Sequence, residues 1–133
     1  MISEFLHAAL LVSDLERSAW FYGTVLELPQ IDRPLSFPGI WFGIGALQLH
    51  LIQQETVIND RVNTQQWGRN RHLAFGVTDL ATCRLQLERY GCPFQQSASG
   101  RQALFTQDPD GNVIELSERV ASSGVDCSAG SIG

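Results

Sequence analysis

The chain has 133 residues, 44% hydrophobic and 17% charged, with a formal net charge of −5. That length suits one domain able to bury roughly two-thirds of its unfolded surface, and no apolar run approaches the roughly 18 residues of a membrane span. An acidic balance with no cluster of Lys or Arg argues against a nucleic-acid surface.

The N-terminus, MISEFLHAALLV, carries an early Glu and no basic leader, so it reads as a first strand and not as a signal peptide. Cys83, Cys92 and Cys127 are odd in number and lack metal-type or disulfide-type spacing, which suits thiols in a reducing cytoplasm. Phe5 to Val12 is a compact apolar run bounded by polar residues, the pattern of a strand. Ser13 follows as the cap of a helix, with Glu16 completing an S-x-x-E capping box. That helix runs from Leu15 to about Leu28 and buries Leu15, Ala19, Tyr22, Val25 and Leu26 as one stripe. Pro29 ends it.

Pro34 to Gly45 is rich in Pro, Gly and aromatics and holds a short strand around Ile40 to Ile44, with a glycine turn after it. Leu47 to Ile52 alternates, placing Leu47, Leu49 and Leu51 on one face and Gln48, His50 and Ile52 on the other. Gln53 to Asn70 is a long polar stretch, a linker, a lid, or both. The second half begins as the first did: a strand from His72, then a helix from Leu80 to Tyr90 burying Leu80, Cys83, Leu87 and Tyr90, stopped at Gly91 and Pro93. Ala103 to Gln107 is a strand, Asp108-Pro109-Asp110-Gly111 a tight turn, and Asn112 to Glu118 the last strand, with Val113, Glu115 and Ser117 sharing a face. Residues 1–120 form the domain, with modules at about 4–53 and 71–118, and 121–133 read as a loose tail of small and polar residues.

The halves are related by a repeat. HAALLVSDL from His7 to Leu15 matches HLAFGVTDL from His72 to Leu80, and 43 residues separate His7 from His50 just as 43 separate His72 from Glu115. One offset of 65 residues superposes both pairs. Taken singly, each His in a strand reads as a hydrogen-bonded core or rim residue and Glu115 as a surface charge. Three histidines filling three of four equivalent positions point instead to a shared metal site, formed if pseudo-twofold packing brings all four side chains together. Three imidazoles and one carboxylate can hold Zn, Ni, Co, Fe or Mn, and affinity order does not choose among them.

These residues, with H-x6-D-L twice and LFTQDPDGNVIEL from Leu104 to Leu116, make the chain resemble the vicinal-oxygen-chelate superfamily. It includes glyoxalase I, methylmalonyl-CoA epimerase, extradiol dioxygenases, and fosfomycin and bleomycin resistance proteins. The resemblance implies an α+β fold of two βαβββ modules forming a half-open mixed barrel. It implies one divalent metal ion held by His7, His50, His72 and Glu115, and a small substrate chelating that ion through vicinal oxygens. The implied chemistry is of lyase or isomerase type through a stabilised enediolate, with Glu115 as the catalytic carboxylate that moves a proton. Glyoxalase I carries a carboxylate where His50 stands, and the epimerase an amide. An Fe(II) extradiol dioxygenase would use His7, His72 and Glu115, with no histidine to spare. A bleomycin-resistance-like binder would need no metal, and fosfomycin-modifying members carry a tyrosine that SGRQALFTQ lacks. Arg101 and Trp41 are the candidate substrate contacts. Small members of the superfamily pair as homodimers, some with ligands to one site drawn from two chains.

Overall fold

The structure is a computed structural model and describes residues 1–119; the expected tail, with Cys127, lies outside the described residues. Eight strands and two α-helices follow one another in the order expected of a duplicated module. The first module is β1 (His7–Val12), α1 (Leu15–Ala19), β2 (Gln30–Ile31), β3 (Gly39–Ile44) and β4 (Leu47–Gln53). The second is β5 (His72–Val77), α2 (Leu80–Arg89), β6 (Phe94–Gln96), β7 (Ala103–Gln107) and β8 (Val113–Glu118). Each forms a four-stranded mixed sheet, ordered β1-β4-β3-β2 and β5-β8-β7-β6. In each the first and last strands run parallel and the other pairs antiparallel. The two sheets do not close into one barrel, as a half-open architecture requires.

The repeat is visible in the hydrogen-bond register. His50 lies opposite Ala9 and Glu115 opposite Ala74, the same two positions displaced by one module. Strand alternation sends Leu49 and Leu51 of β4, and Ile114 and Leu116 of β8, into one core shared with Phe21, Tyr22, Leu80 and Leu87. Both modules therefore pack on a common interior through one face of each sheet. The opposite faces carry His7 and His50 in one module and His72 and Glu115 in the other.

The first helix differs from its expected course. Asp14, not Ser13, is its cap: the Asp14 carboxylate accepts from the Arg17 N–H at 3.1 Å, while the Ser13 N–H and hydroxyl both donate to Asp110. Only Leu15–Ala19 is α-helical, and Trp20–Val25 is a π-helical turn. The Leu26 N–H reaches back five residues to the Phe21 carbonyl at 2.9 Å. The wider turn rotates the buried stripe onto Ser18, Phe21, Tyr22 and Val25 and leaves Leu15, Ala19 and Leu26 only half-buried. The second helix follows its expectation, ending at Gly91 with a φ of 68°. Cys83 on that helix is half-buried at the edge of the core.

The connection from Gln53 to Asn70 is seated on the second module. Buried Asn70 takes the N–H groups of Val62 and Asn63 on its carbonyl oxygen and donates to the carbonyls of Asn63 and Trp67. A short 3₁₀ turn, Trp67–Arg69, then lies against β7. A Cβ on Gly68 would come within 2.5 Å of the Phe105 ring, so only glycine lets this turn sit down. Gly68→Ala should cost about 1–3 kcal/mol by overpacking, read as a lowered urea midpoint; an unchanged midpoint would mean that the turn is not seated on Phe105.

Candidate metal centre

Each module presents one pair of donors. In the first, His50 on β4 is sandwiched between two rings. Trp41, its direct partner on β3, stacks at 4.0 Å and 5°, and His7, diagonal to it on β1, at 4.0 Å and 15°. His50 is 9% exposed. Desolvation first, and then the nearby charges of His7 and Arg33, hold its pKa below the ordinary imidazole value, so it stands neutral, the form that ligates a metal. Its Nε2 lies 2.8 Å from Oε1 of Gln48, two residues back on the same strand face.

In the second module, His72 Nε2 and Glu115 Oε1 are 3.4 Å apart. The Nδ1–H of His72 donates to the Asn70 carbonyl at 2.7 Å, which orients the ring with Nε2 towards Glu115. Phe105 meets the His72 ring edge-on at 5.6 Å. Glu115 is 7% exposed and accepts from Ser117 Oγ at 2.5 Å and from Arg101 Nη2 at 3.4 Å. Burial alone would raise its pKa. The Ser117 hydrogen bond, the Arg101 charge and His72 outweigh burial and hold the carboxyl below its usual range, so it is anionic at neutral pH.

These donors fit a divalent ion. Ligand atoms about 2.1 Å from one metal stand about 3.0–3.4 Å apart for octahedral to tetrahedral angles, and the His72–Glu115 separation lies at the upper end of that range.

The structure does not bring the four expected ligands together in one chain. Among the described residues no three His, Cys, Asp or Glu gather closely enough to hold an ion. The reason is the packing: both modules turn their leucine faces to the common core, so each donor pair looks outward from it. Of the expected substrate contacts, Arg101 stands beside Glu115, and Trp41 has one face already occupied by His50. Arg101 lines a cavity of about 530 Å³ whose walls also include Gln65, Trp67, Arg69, Gln95 and Phe105. Asn70 and Phe105 escape the sequence reading, and Gln48 and Ser117, which it places on the faces of His50 and Glu115, have no role in it. Gln48 and Ser117 each sit two residues from a candidate ligand, and the period of two that places them on its face is the signal of their role. Phe105 needs the β7–β8 register and Asn70 the fold of the connection.

Comparison with known proteins agrees with the fold. The family model of the Glyoxalase/Bleomycin resistance protein/Dioxygenase superfamily matches residues 4–116. A lactoylglutathione lyase of Haemophilus influenzae is 30% identical over 136 aligned positions, covering 86% of this chain and 92% of that one. The fold is also that of the genomically encoded fosfomycin resistance protein of Listeria monocytogenes, with a TM-score of 0.70 at 17% identity over 92% of this chain and 96% of that one. A glyoxalase-family crystal structure from Agrobacterium tumefaciens, a lactoylglutathione lyase, gives a TM-score of 0.63 at 22% identity over 88% of this chain and 94% of that one. The chain belongs to the Glyoxalase/Bleomycin resistance protein/Dioxygenase superfamily.

Proposed function

We propose that the protein is a metal-dependent lyase or isomerase acting on a small substrate that presents two oxygens on adjacent carbons. The active unit is a homodimer in which His7 and His50 of one chain meet His72 and Glu115 of the partner subunit. The observation that carries this reading is the register: one imidazole-containing donor pair stands at the same two positions on the outward face of each module. Neither pair is sufficient alone. β1 and β5 are both edge strands with a free side, and beside β1 the chain exposes Phe5 and Leu6, which a partner would cover.

The relative at 30% identity is named for lactoylglutathione, and a 2-hydroxyacyl thioester carries a hydroxyl and a carbonyl oxygen on neighbouring carbons. A divalent ion, which His7, His50, His72 and Glu115 would hold, would supply Lewis-acid stabilisation of the charge that develops on the carbonyl oxygen when the hydroxyl-bearing carbon loses its proton. Glu115, anionic, would accept the proton of the hydroxyl-bearing carbon and return it to the neighbouring carbonyl carbon, while the hydroxyl proton passes to the former carbonyl oxygen. Ser117 and Arg101 hold the Glu115 carboxylate in place while it does so. The free thiols of Cys83 and Cys92 fit a reducing cytoplasm, and no helix among the described residues is long and apolar enough to cross a membrane.

The test is elemental analysis of protein purified without chelator, followed by turnover of S-lactoylglutathione with each of Zn, Ni, Co, Fe and Mn. The expected result is one divalent ion per site, loss of turnover on chelation and recovery on re-addition. Metal that fails to rebind, or binding unchanged by His72→Ala, would overturn the reading.

A further inference from the structure

We propose that Gln48 is a positioning residue that locks His50 in one tautomer, so that His50 offers Nδ1 to the metal while His72 offers Nε2. The inference rests on the metal-site reading of the preceding section, but its central readout is taken on the metal-free protein.

Gln48 and His50 are both on the face of β4 turned away from the leucines, and Gln48 pairs directly with His7 across β1. The contact between Gln48 Oε1 and His50 Nε2 is 2.8 Å. An amide oxygen only accepts, so Nε2 carries the proton and the lone pair is left on Nδ1. The ring has little freedom to escape this arrangement, because it is 9% exposed and Trp41 stacks flat on it at 4.0 Å. In the second module the polarity is reversed. There the backbone carbonyl of Asn70 takes the Nδ1–H and Nε2 faces Glu115. A metal-binding imidazole donating its other N–H to a fixed oxygen is the usual arrangement, and that partner tunes affinity by about 10–100-fold. Gln48 is the side chain placed to do this for His50, as the main chain does for His72.

The stack also separates the two half-sites by readiness. His72 and Glu115 already stand 3.4 Å apart, whereas the near-parallel rings of His7 and His50 direct their edges side by side. His7, exposed on an edge strand, is the ring free to turn; His50 is not.

Nitrogen-15 histidine correlation spectra of the metal-free protein at a pH where the rings are neutral report each tautomer directly. The expected spectrum has His50 protonated on Nε2 and His72 on Nδ1. Gln48→Leu should convert His50 to a tautomer mixture and weaken zinc binding about 10–100-fold by calorimetry, while Gln48→Glu, which keeps an acceptor, should retain both the tautomer and the affinity. His50 protonated on Nδ1 in the wild type, or a His50 tautomer untouched by Gln48→Leu, would overturn the assignment. Correct tautomers in a protein that binds no zinc would instead sink the metal reading and leave the role of Gln48 in orienting the ring standing.

Discussion

Mixing His50→Ala chains with Glu115→Gln chains should restore about a quarter of wild-type turnover, although each variant alone is inactive. The figure follows from the symmetry of a two-site dimer. Random exchange makes half of the dimers mixed. In each of those, one site combines the intact first module of one chain with the intact second module of the other, and the second site holds both lesions. The matching control is a mixture of His72→Ala with Glu115→Gln. Both lesions then fall in the same module, every site keeps one of them, and no activity should return. The basis is the separation of donors within one chain, where no three His, Cys, Asp or Glu come together among the described residues, and the free edges of β1 and β5. Leu11, 47% exposed on the same outward face of β1 as His7, adds apolar surface for the partner to cover. A His50→Ala and Glu115→Gln mixture no more active than its components, with chain exchange verified by mass labelling, would place the whole site within one chain.

The sequence carries the donors more clearly than their meeting place. An offset of 65 residues is a property of the chain itself, and it reappears intact in the β1–β4 and β5–β8 registers. Alternation likewise predicts which face His50 and Glu115 share, because burial of Leu49 and Leu51, or Ile114 and Leu116, leaves only the other face for them. What decides how the modules sit is non-local. Ser13 belongs to a good capping box by spacing, yet it binds Asp110, 97 residues away, and leaves the cap to Asp14. The π-helical turn at Trp20–Val25 breaks the helical period that the stripe Leu15, Ala19, Tyr22 assumes. β2 and β6, two and three residues long, are too short to show a period at all. The signature turn from Asp108 to Asn112 reads as a turn, and rightly, but its work as the joint between modules is invisible until Tyr22, Ser13 and Leu11 are found against it.

That joint is where a single substitution should unfold the protein most readily. Asp108 is 4% exposed and accepts four hydrogen bonds: from the Tyr22 hydroxyl at 2.7 Å, from the backbone N–H of Asp110 and of Asn112, and from Asn112 Nδ2. Tyr22 is itself wholly buried. Asp108→Ala leaves these donors without their acceptor and loosens the Asp110 grip on Ser13, a loss of about 3–5 kcal/mol. Tyr22→Phe removes one bond to a charged acceptor and should cost about 1.5–3 kcal/mol, and the double variant should cost less than the two added together, since the removed groups are partners. The acid response separates the charge from the shape. Burial raises the Asp108 pKa above its ordinary 3.8, and the Asn112 and Tyr22 hydrogen bonds only partly offset this. Over the interval from that ordinary value up to the folded one, the native state holds a proton that the unfolded state has released, so the Asp108 contribution to stability falls as pH rises. Glu115, with its pKa lowered, changes stability in the opposite direction below its ordinary value. The difference between wild type and Asp108→Asn therefore isolates the joint: in urea titrations from about pH 4 upward, the wild type should lose stability relative to the variant as pH rises. A difference that does not vary with pH, together with a Tyr22→Phe variant as stable as the wild type, would mean that the Tyr22–Asp108 contact does not hold the modules together.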